Sequence, residues 1–273
     1  MIQNSELTGR QRIAAAFANA HKTQSAALMP YFTLGFPNRE TSVDVIEAIS
    51  HHSDLLELGV PFSDPLADGP TVQRSTQLSL EAGTTVRSCL EMIKELRNRG
   101  VETPAITMGY YNPMLAYGLE NYVRDAAAAG ADGFIVPDLP LEEADELSQL
   151  AEAHGLALIY FLAPTSNAKR IAATVEKANG FIYLVAITGI TGTTEADAGG
   201  LKGLIEQIRA ETDVPLAVGF GINTPEAAGK MGEVTDGVIV GSALIKAVDQ
   251  AEPANQVAAA AEFVKGLKSG LVH

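Results

Sequence analysis

Residues 54–70 read DLLELGVPFSDPLADGP, a short apolar run followed by a loop rich in Pro, Gly and Asp. An apolar run without polar alternation is typical of a parallel strand covered on both faces. Glu57 interrupts this run, and Asp64 and Asp68 lie on the loop after it. An unpaired buried carboxylate is costly, or its pKa moves toward neutrality. The segment therefore predicts a buried strand, and its internal acid requires an explanation.

Similar apolar runs recur along the whole chain, with longer amphipathic stretches between them. This alternation predicts parallel strands joined by helices. Eight such units in 273 residues predict a closed (β/α)8 barrel, known as a TIM barrel. An open doubly wound sheet is the alternative, disfavoured because no G-x-G-x-x-G follows the first strand. The other seven runs occupy residues 26–35, 104–110, 132–138, 156–164, 181–187, 214–221 and 236–242.

An additional helix is expected before the first strand. Ile13, Ala16, Phe17 and Ala20 recur at helical spacing, and Thr8 is a suitable N-cap for the helix that carries them. The chain has no linker, low-complexity tract or shift in composition. We therefore expect one domain spanning residues 1–273.

The bulk composition excludes several classes of function. The formal net charge of −14 and the pI of about 4.7 argue against sequence-independent binding to nucleic acid or to an anionic membrane. With Cys89 as the only cysteine, no internal disulfide can form, and a reducing compartment fits. The sequence contains neither an evident signal peptide nor an apolar run long enough to span a bilayer. A cytoplasmic location is the expectation.

Barrel enzymes carry their catalytic groups at the carboxyl ends of strands and on the loops that follow. Glu57 lies near the end of the second strand, and no predicted strand contains a Lys or Arg that could neutralise it. A functional role for Glu57 is therefore favoured. Asp68 is explained equally well as a catalytic group or as the N-cap of the next helix, whereas turn chemistry accounts for Asp64.

Two glycine-containing turns predict a phosphate site. Gly219, Phe220 and Gly221 follow the seventh strand, and Gly241 and Ser242 follow the eighth, where barrels commonly bind phosphate. A helix beginning at Ser242 would direct its positive end toward the anion. Tight turns that merely require glycine are the alternative. Residues 186–200, rich in Gly and Thr, fit either a lid over the barrel mouth or an ordinary surface loop.

Some kinds of chemistry lack the residues they need. No predicted strand ends in a histidine, and no paired His or Cys spacing indicates a metal site. No strand carries a lysine for a Schiff base, and no P-loop is present. The remaining interpretation is acid–base chemistry by carboxylates on a phosphorylated substrate, without metal or cofactor.

Residues 56–70 closely resemble the signature of the tryptophan synthase alpha chain family. The same likeness extends through PYFTLGFP, MGYYNPMLAYG, PDLPLEE, GFGI and GSA, in order between Pro30 and Ser242. The resemblance implies a (β/α)8 barrel that cleaves indole-3-glycerol phosphate to indole and glyceraldehyde 3-phosphate, a retro-aldol reaction.

The resemblance also implies roles for individual residues. Glu57 matches the general acid–base that acts at indole C3 and at the side-chain hydroxyl. Asp68 matches the aspartate that accepts a hydrogen bond from the indole N–H and stabilises positive charge on the ring. The expected substrate contacts are Tyr31 and Tyr183 near the indole and the glutamate, Thr191 on the lid, and Gly192, Phe220, Gly221, Gly241 and Ser242 around the phosphate.

Members of this family work with a beta chain that carries pyridoxal phosphate and receives indole through an internal channel. The resemblance thus implies an α2β2 heterotetramer in tryptophan biosynthesis, with no cofactor in the alpha chain itself. Two alternatives remain open. One is a free-standing indole-3-glycerol-phosphate lyase, and the other is a non-catalytic regulatory subunit of a beta chain, against which the presence of Glu57 and Asp68 argues.

Overall fold

The computed structural model describes residues 7–185, 195–219 and 221–271. Eight parallel strands form a closed barrel in sequence order, and the last strand pairs with the first. This confirms the predicted barrel over the open sheet, and each strand lies inside one of the eight predicted apolar segments. The strands are β1 (Ala27–Thr33), β2 (Leu56–Gly59), β3 (Ala105–Met108), β4 (Gly133–Ile135), β5 (Ala157–Leu162), β6 (Ile182–Val185), β7 (Leu216–Gly219) and β8 (Gly237–Val240).

Helices surround the barrel, and two helices rather than one follow β2, β3 and β8. None of the described helices combines the length and the apolar character needed to cross a membrane. They are α1 (Gly9–Lys22), α2 (Arg39–Ser50), α3 (Pro70–Glu81), α4 (Val86–Asn98), α5 (Tyr111–Tyr117), α6 (Leu119–Ala129), α7 (Asp145–Ala153), α8 (Ala168–Lys177), α9 (Glu195–Arg209), α10 (Pro225–Gly232), α11 (Ser242–Gln250) and α12 (Gln256–Gly270).

Helix α1 is the expected additional helix, and it covers the end of the barrel where the strands begin. Thr8 caps it as predicted: its hydroxyl accepts from the Gln11 backbone, and the Gln11 side chain accepts from the Thr8 backbone. This reciprocal arrangement satisfies backbone donors that a helix start leaves free. The Phe17 ring lies 5.6 Å from the ring of Phe181, which directly precedes β6. Helix α1 thus closes this end of the barrel, and the opposite end, where the strands finish, is the open end.

A repeated hydrogen bond joins the strands in pairs at the closed end. Shortly before β2, β4, β6 and β8, an Asp or Asn side chain accepts the backbone N–H near the start of the preceding strand. The bonds are Asp54 to Leu28 (2.7 Å), Asp132 to Ala105 (2.8 Å), Asn179 to Leu158 (3.1 Å) and Asp236 to Leu216 (2.7 Å). Because each bond links the start of one strand to its neighbour, it supports the register of the two strands within that pair.

The most buried of these acids is Asp132, whose side chain is 3% exposed. It pairs with Arg97 at 2.8 Å and with Arg12 at 3.0 Å. Arg97 also donates to the carbonyl groups of Gly130 and Val101. Removing the charge of Asp132 would leave two guanidinium groups without their buried counter-ion.

We expect Asp132→Asn to lower the free energy of unfolding by about 3–5 kcal/mol, the cost typical of breaking a buried ion pair. Urea denaturation of the purified variant measures this loss. Glu152→Gln is the control, since Glu152 is 65% exposed and its pairing with Arg10 should contribute no more than about 1 kcal/mol. Equal losses in the two variants would contradict this account of the buried cluster.

Candidate active site

Glu57 lies inside the barrel, in the middle of β2. It pairs in register with Tyr31 of β1 and Ile106 of β3. The residue is 3% exposed, and its Oε2 atom has no hydrogen-bond partner among the described residues. As the strand composition predicts, no ion pair to Glu57 is present in the described part of the chain. A buried carboxyl in this condition is a candidate proton donor.

Asp68 lies on the loop between β2 and α3, and it is not the N-cap of α3. That cap is Gly69, which makes no side-chain hydrogen bond. The Asp68 Oδ2 atom instead accepts a hydrogen bond of 3.0 Å from the Tyr110 hydroxyl, which itself accepts one from the Ala67 N–H. Tyr110 was not among the residues expected at the site. Its position as the last residue of the third apolar run, two residues past the end of β3, is the signal that could have identified it.

Burial sets the two acids apart electrostatically. Loss of hydration, followed by the charge of Asp68, raises the pKa of Glu57 to about 8. Burial also raises the pKa of Asp68, to about 6, but the hydrogen bond from Tyr110 opposes that rise. Near neutral pH Glu57 therefore holds its proton while Asp68 is ionised. The site can donate a proton from one carboxyl and stabilise positive charge with the other.

Both acids line a cavity of about 800 Å³ at the open end of the barrel. Tyr31 and Tyr183 line it as well, and the pKa of each tyrosine is raised, mainly by burial. The ring of Phe161 lies 5.1 Å from that of Tyr183. The structure thus brings Glu57, Asp68, Tyr31 and Tyr183 together around one aromatic-walled space.

Two of the glycines first assigned to phosphate binding have a second reason to be glycine. A Cβ at Gly219 would lie 2.4 Å from the Tyr183 hydroxyl, and a Cβ at Gly241 would lie 3.2 Å from the Tyr31 ring. The absence of these side chains leaves room for the tyrosines that wall the cavity. Gly221 has φ +42°, a conformation that favours glycine.

The cavity also has an end suited to an anion. Gly221, Gly241 and Ser242 line it, and α11 begins at Ser242 without a side-chain cap. Its first backbone N–H groups and the positive end of its dipole are therefore available to a phosphate. Arg170 of α8 lines the cavity too, and sequence reasoning missed it because it comes from a helix well before these turns. It pairs with Glu142 at 2.5 Å.

The remaining predicted site residues are Thr191, Gly192 and Phe220, which lie outside the described residues. Of the loop expected over residues 186–200, the first nine residues lie outside the described residues, and the last six form the start of α9. Asp64 is exposed and accepts from the Ser63 hydroxyl, consistent with the turn assigned to it. Within the described residues, no group of three or more His, Cys, Asp or Glu side chains is arranged to hold a metal ion.

The chain is similar to known proteins over almost its whole length. Residues 17–271 match the family model described as "Tryptophan synthase alpha chain". The tryptophan synthase alpha chain of Chloroflexus aurantiacus is 48% identical over 261 residues, covering 95% of this chain and 98% of that one. That of Citrifermentans bemidjiense is 43% identical, covering 96% of this chain and 98% of its own.

Solved structures agree with these relatives. A chain of Mycobacterium tuberculosis tryptophan synthase superposes with a TM-score of 0.88 at 34% identity, covering 98% of this chain and 100% of its own. The alpha subunit from Legionella pneumophila gives a TM-score of 0.87 at 36% identity, covering 95% of this chain and 98% of its own. Together with the paired acids in the barrel mouth, these similarities lead to one assignment. The chain belongs to the tryptophan synthase alpha chain family.

Proposed function

We propose that this chain is the alpha subunit of a tryptophan synthase and cleaves indole-3-glycerol phosphate to indole and glyceraldehyde 3-phosphate. One observation carries the proposal: Glu57 and Asp68 share a cavity but have different environments, with pKa values raised to about 8 and about 6. Carbon–carbon cleavage of this substrate requires a proton on an aromatic carbon. Only an acid that retains its proton near neutral pH can supply it.

The reaction follows from the two protonation states. Glu57 in its protonated form delivers a proton to C3 of the indole, which makes the ring electron-poor. The Asp68 carboxylate accepts the hydrogen bond of the indole N–H and stabilises the positive charge that develops there. Glu57, now ionised, removes the proton of the side-chain hydroxyl. The C–C bond then breaks, its electron pair returns to the ring, and glyceraldehyde 3-phosphate leaves as the aldehyde.

The rest of the cavity suits the other parts of the substrate. Tyr31 and Tyr183 offer flat apolar surfaces to the indole ring. The backbone of Gly221, Gly241 and Ser242 offers N–H groups to the phosphate, reinforced by α11. Resemblance to the family adds Thr191 on the lid, and Gly192 and Phe220 beside the phosphate. In this proposal the chain requires no cofactor of its own.

We also propose a beta-chain partner, in an α2β2 assembly, that carries pyridoxal phosphate and consumes the indole. Exposed apolar side chains at the open end of the barrel support a docking surface there. Leu66 is 90% exposed on the loop after β2, Leu115 is 50% exposed on α5, and Val185 is 39% exposed at the end of β6. Membership of the alpha chain family favours this role over a free-standing lyase or a non-catalytic regulatory subunit.

Replacing Glu57 tests the acid–base assignment. Glu57→Gln keeps the shape of the side chain but removes the titrating group, so kcat for indole formation should fall by about 10²–10⁴-fold. Binding of indole-3-glycerol phosphate, measured by calorimetry, should persist. Glu91→Gln changes an exposed glutamate on α4 in the same way and should leave turnover intact. Substantial turnover by the Glu57 variant would show that another group moves the proton.

The pH dependence of kcat/KM should be bell-shaped, with a maximum between about pH 6 and pH 8. Activity rises as Asp68 ionises, because its pKa is about 6, and falls as Glu57 loses its proton, because its pKa is about 8. The two acids interact, so the limbs report apparent values of the pair. Asp68→Asn should remove the acidic limb and move the basic limb to lower pH. A basic limb that stays in place would mean that Asp68 does not act on Glu57.

A titration of the chain with a tryptophan synthase beta chain tests partner and reaction together. Indole formation should rise strongly and saturate at one beta chain per alpha chain. Cleavage that is unaffected by the beta chain would favour a free-standing lyase. Absent cleavage, with an altered beta-chain activity, would favour the regulatory subunit.

Two substitutions that introduce a charge test whether the beta chain binds at the open end of the barrel. Leu66→Asp introduces a carboxylate on the proposed docking surface and should weaken saturation by the beta chain. Val234→Asp is the matched control, since Val234 is 47% exposed at the opposite end of the barrel, just before β8. Equal weakening by both variants would remove the open end of the barrel as the docking surface.

A further inference from the structure

The Tyr110 hydroxyl bridges two consecutive residues of the loop after β2. Its oxygen lies 3.0 Å from the backbone nitrogen of Ala67 and 3.0 Å from Oδ2 of Asp68. A backbone N–H can only donate, and an ionised carboxylate can only accept. The phenol oxygen therefore accepts from Ala67, and the phenol proton is donated to Asp68. While Asp68 is ionised, both hydrogen bonds have a single possible direction.

Tyr110 is itself held in place by β4 and the loop that follows β4. Gly109, the residue before it, donates its N–H to the carbonyl of Ile135 at 3.0 Å. Tyr111, the residue after it, donates its N–H to Oδ1 of Asp138 at 2.9 Å. Tyr110 is also buried. Because its backbone is bonded on both sides and its ring is enclosed, the hydroxyl has a defined position relative to the barrel.

The loop after β2 meets this tyrosine at its beginning and at its end. The ring of Phe62 lies 5.4 Å from the Tyr110 ring, and Ala67 and Asp68 bind the hydroxyl. Among the described residues, Tyr110 is the only donor to the Asp68 carboxylate, and it uses Oδ2. The other carboxylate oxygen, Oδ1, accepts no hydrogen bond from these residues. One oxygen is thus bound by the protein, and one is left for a ligand.

We propose that Tyr110 is a positioning residue that fixes the Asp68 carboxylate through Oδ2 and leaves Oδ1 to accept the indole N–H. This role rests on the proposed function, in which Asp68 acts as an anion. A donor to the charged form of a carboxyl group favours that form, so the same bond helps to keep Asp68 ionised. The titratable groups that share the cavity with Asp68 are Glu57 on β2, Tyr31 on β1, Asp138 on the loop after β4, Tyr160 on β5, Arg170 on α8 and Tyr183 on β6.

Tyr110→Phe removes the bridging hydroxyl and keeps the ring that packs against Phe62. The pKa of Asp68 should rise from about 6 by about 1 pH unit, the order of magnitude of one hydrogen bond to a charged group. NMR titration of carboxyl-labelled aspartate measures this shift, with the Asp68 resonance assigned by its loss in Asp68→Asn. The acidic limb of kcat/KM should move equally, which lowers kcat/KM near pH 5 about 10-fold. The basic limb should stay in place, because Asp68 is still ionised where Glu57 titrates.

Two further variants separate this role from a loss of packing. Tyr117→Phe makes the same change at the other end of α5, where the hydroxyl donates to Asp125 outside the cavity at 2.8 Å, and should leave both limbs unchanged. The double variant Tyr110→Phe, Asp68→Asn should keep kcat/KM within about threefold of Asp68→Asn alone, because Tyr110 acts through Asp68. Should Tyr110→Phe not fold, the Cζ resonance of Tyr110 in the unaltered chain should titrate with the midpoint of Asp68.

Several results would overturn the proposal. These are an unchanged pKa of Asp68 in folded Tyr110→Phe, an equal rise in Tyr117→Phe, a loss in the double variant that adds to that of Asp68→Asn, or a Tyr110 resonance that does not follow Asp68. A shifted titration with an unmoved acidic limb would refute a role of Tyr110 in turnover. The titration requires no turnover, so it is independent of the reaction. Retained cleavage in Glu57→Gln would refute the proposed function, whereas an unchanged titration would refute only the role of Tyr110.

Discussion

The proposed chemistry of this protein depends on the burial of one carboxyl group without a compensating charge. Taking Glu57 out of water destabilises its ionised form, and no described cation or hydrogen-bond donor restores that loss at Oε2. The proton therefore remains on the acid at a pH where an exposed glutamate has lost it. Asp68 differs because Tyr110 donates to it. The hydrogen bond from Tyr110 and the lesser burial of Asp68 thus lower its pKa relative to that of Glu57. Near neutral pH Glu57 is protonated and Asp68 is ionised.

Acidic residues at the two ends of the barrel differ in whether a cation lies beside them. At the closed end, Asp54, Asp132 and Asp236 accept backbone N–H groups and pair with Lys268, Arg97 and Arg209 respectively. Each of these acids has a cation beside it and contributes to the structure. At the open end, Glu57 has no such cation in the described part of the chain. Acids that are paired with cations thus lie at the closed end, whereas Glu57, without a cation, has the role of proton donor in the proposed reaction.

The strands, the N-terminal helix and the burial of Glu57 could be predicted from sequence, because each depends on local pattern and on the period of the side chains. Asp68 could not be separated from a helix cap, since its partner Tyr110 lies 42 residues further along the chain. Gly219 and Gly241 were interpreted as anion-binding or as residues of tight turns, and their role beside Tyr183 and Tyr31 could not be predicted because those tyrosines come from other strands. Arg170 likewise reaches the cavity from a distant helix. Contacts of this kind exist only once the barrel closes.

The repeated side-chain bonds at the strand starts bear on how such a protein can diversify. Each bond belongs to two neighbouring strands, so the barrel consists of four similar quarters, each with its own alignment device. These bonds support the register of each strand pair at the closed end, which is opposite the cavity. Loops at the open end of the barrel can lengthen, shorten or exchange residues without changing the register of the strands within these pairs. Evolutionary change in substrate or partner is then decoupled from the integrity of the scaffold.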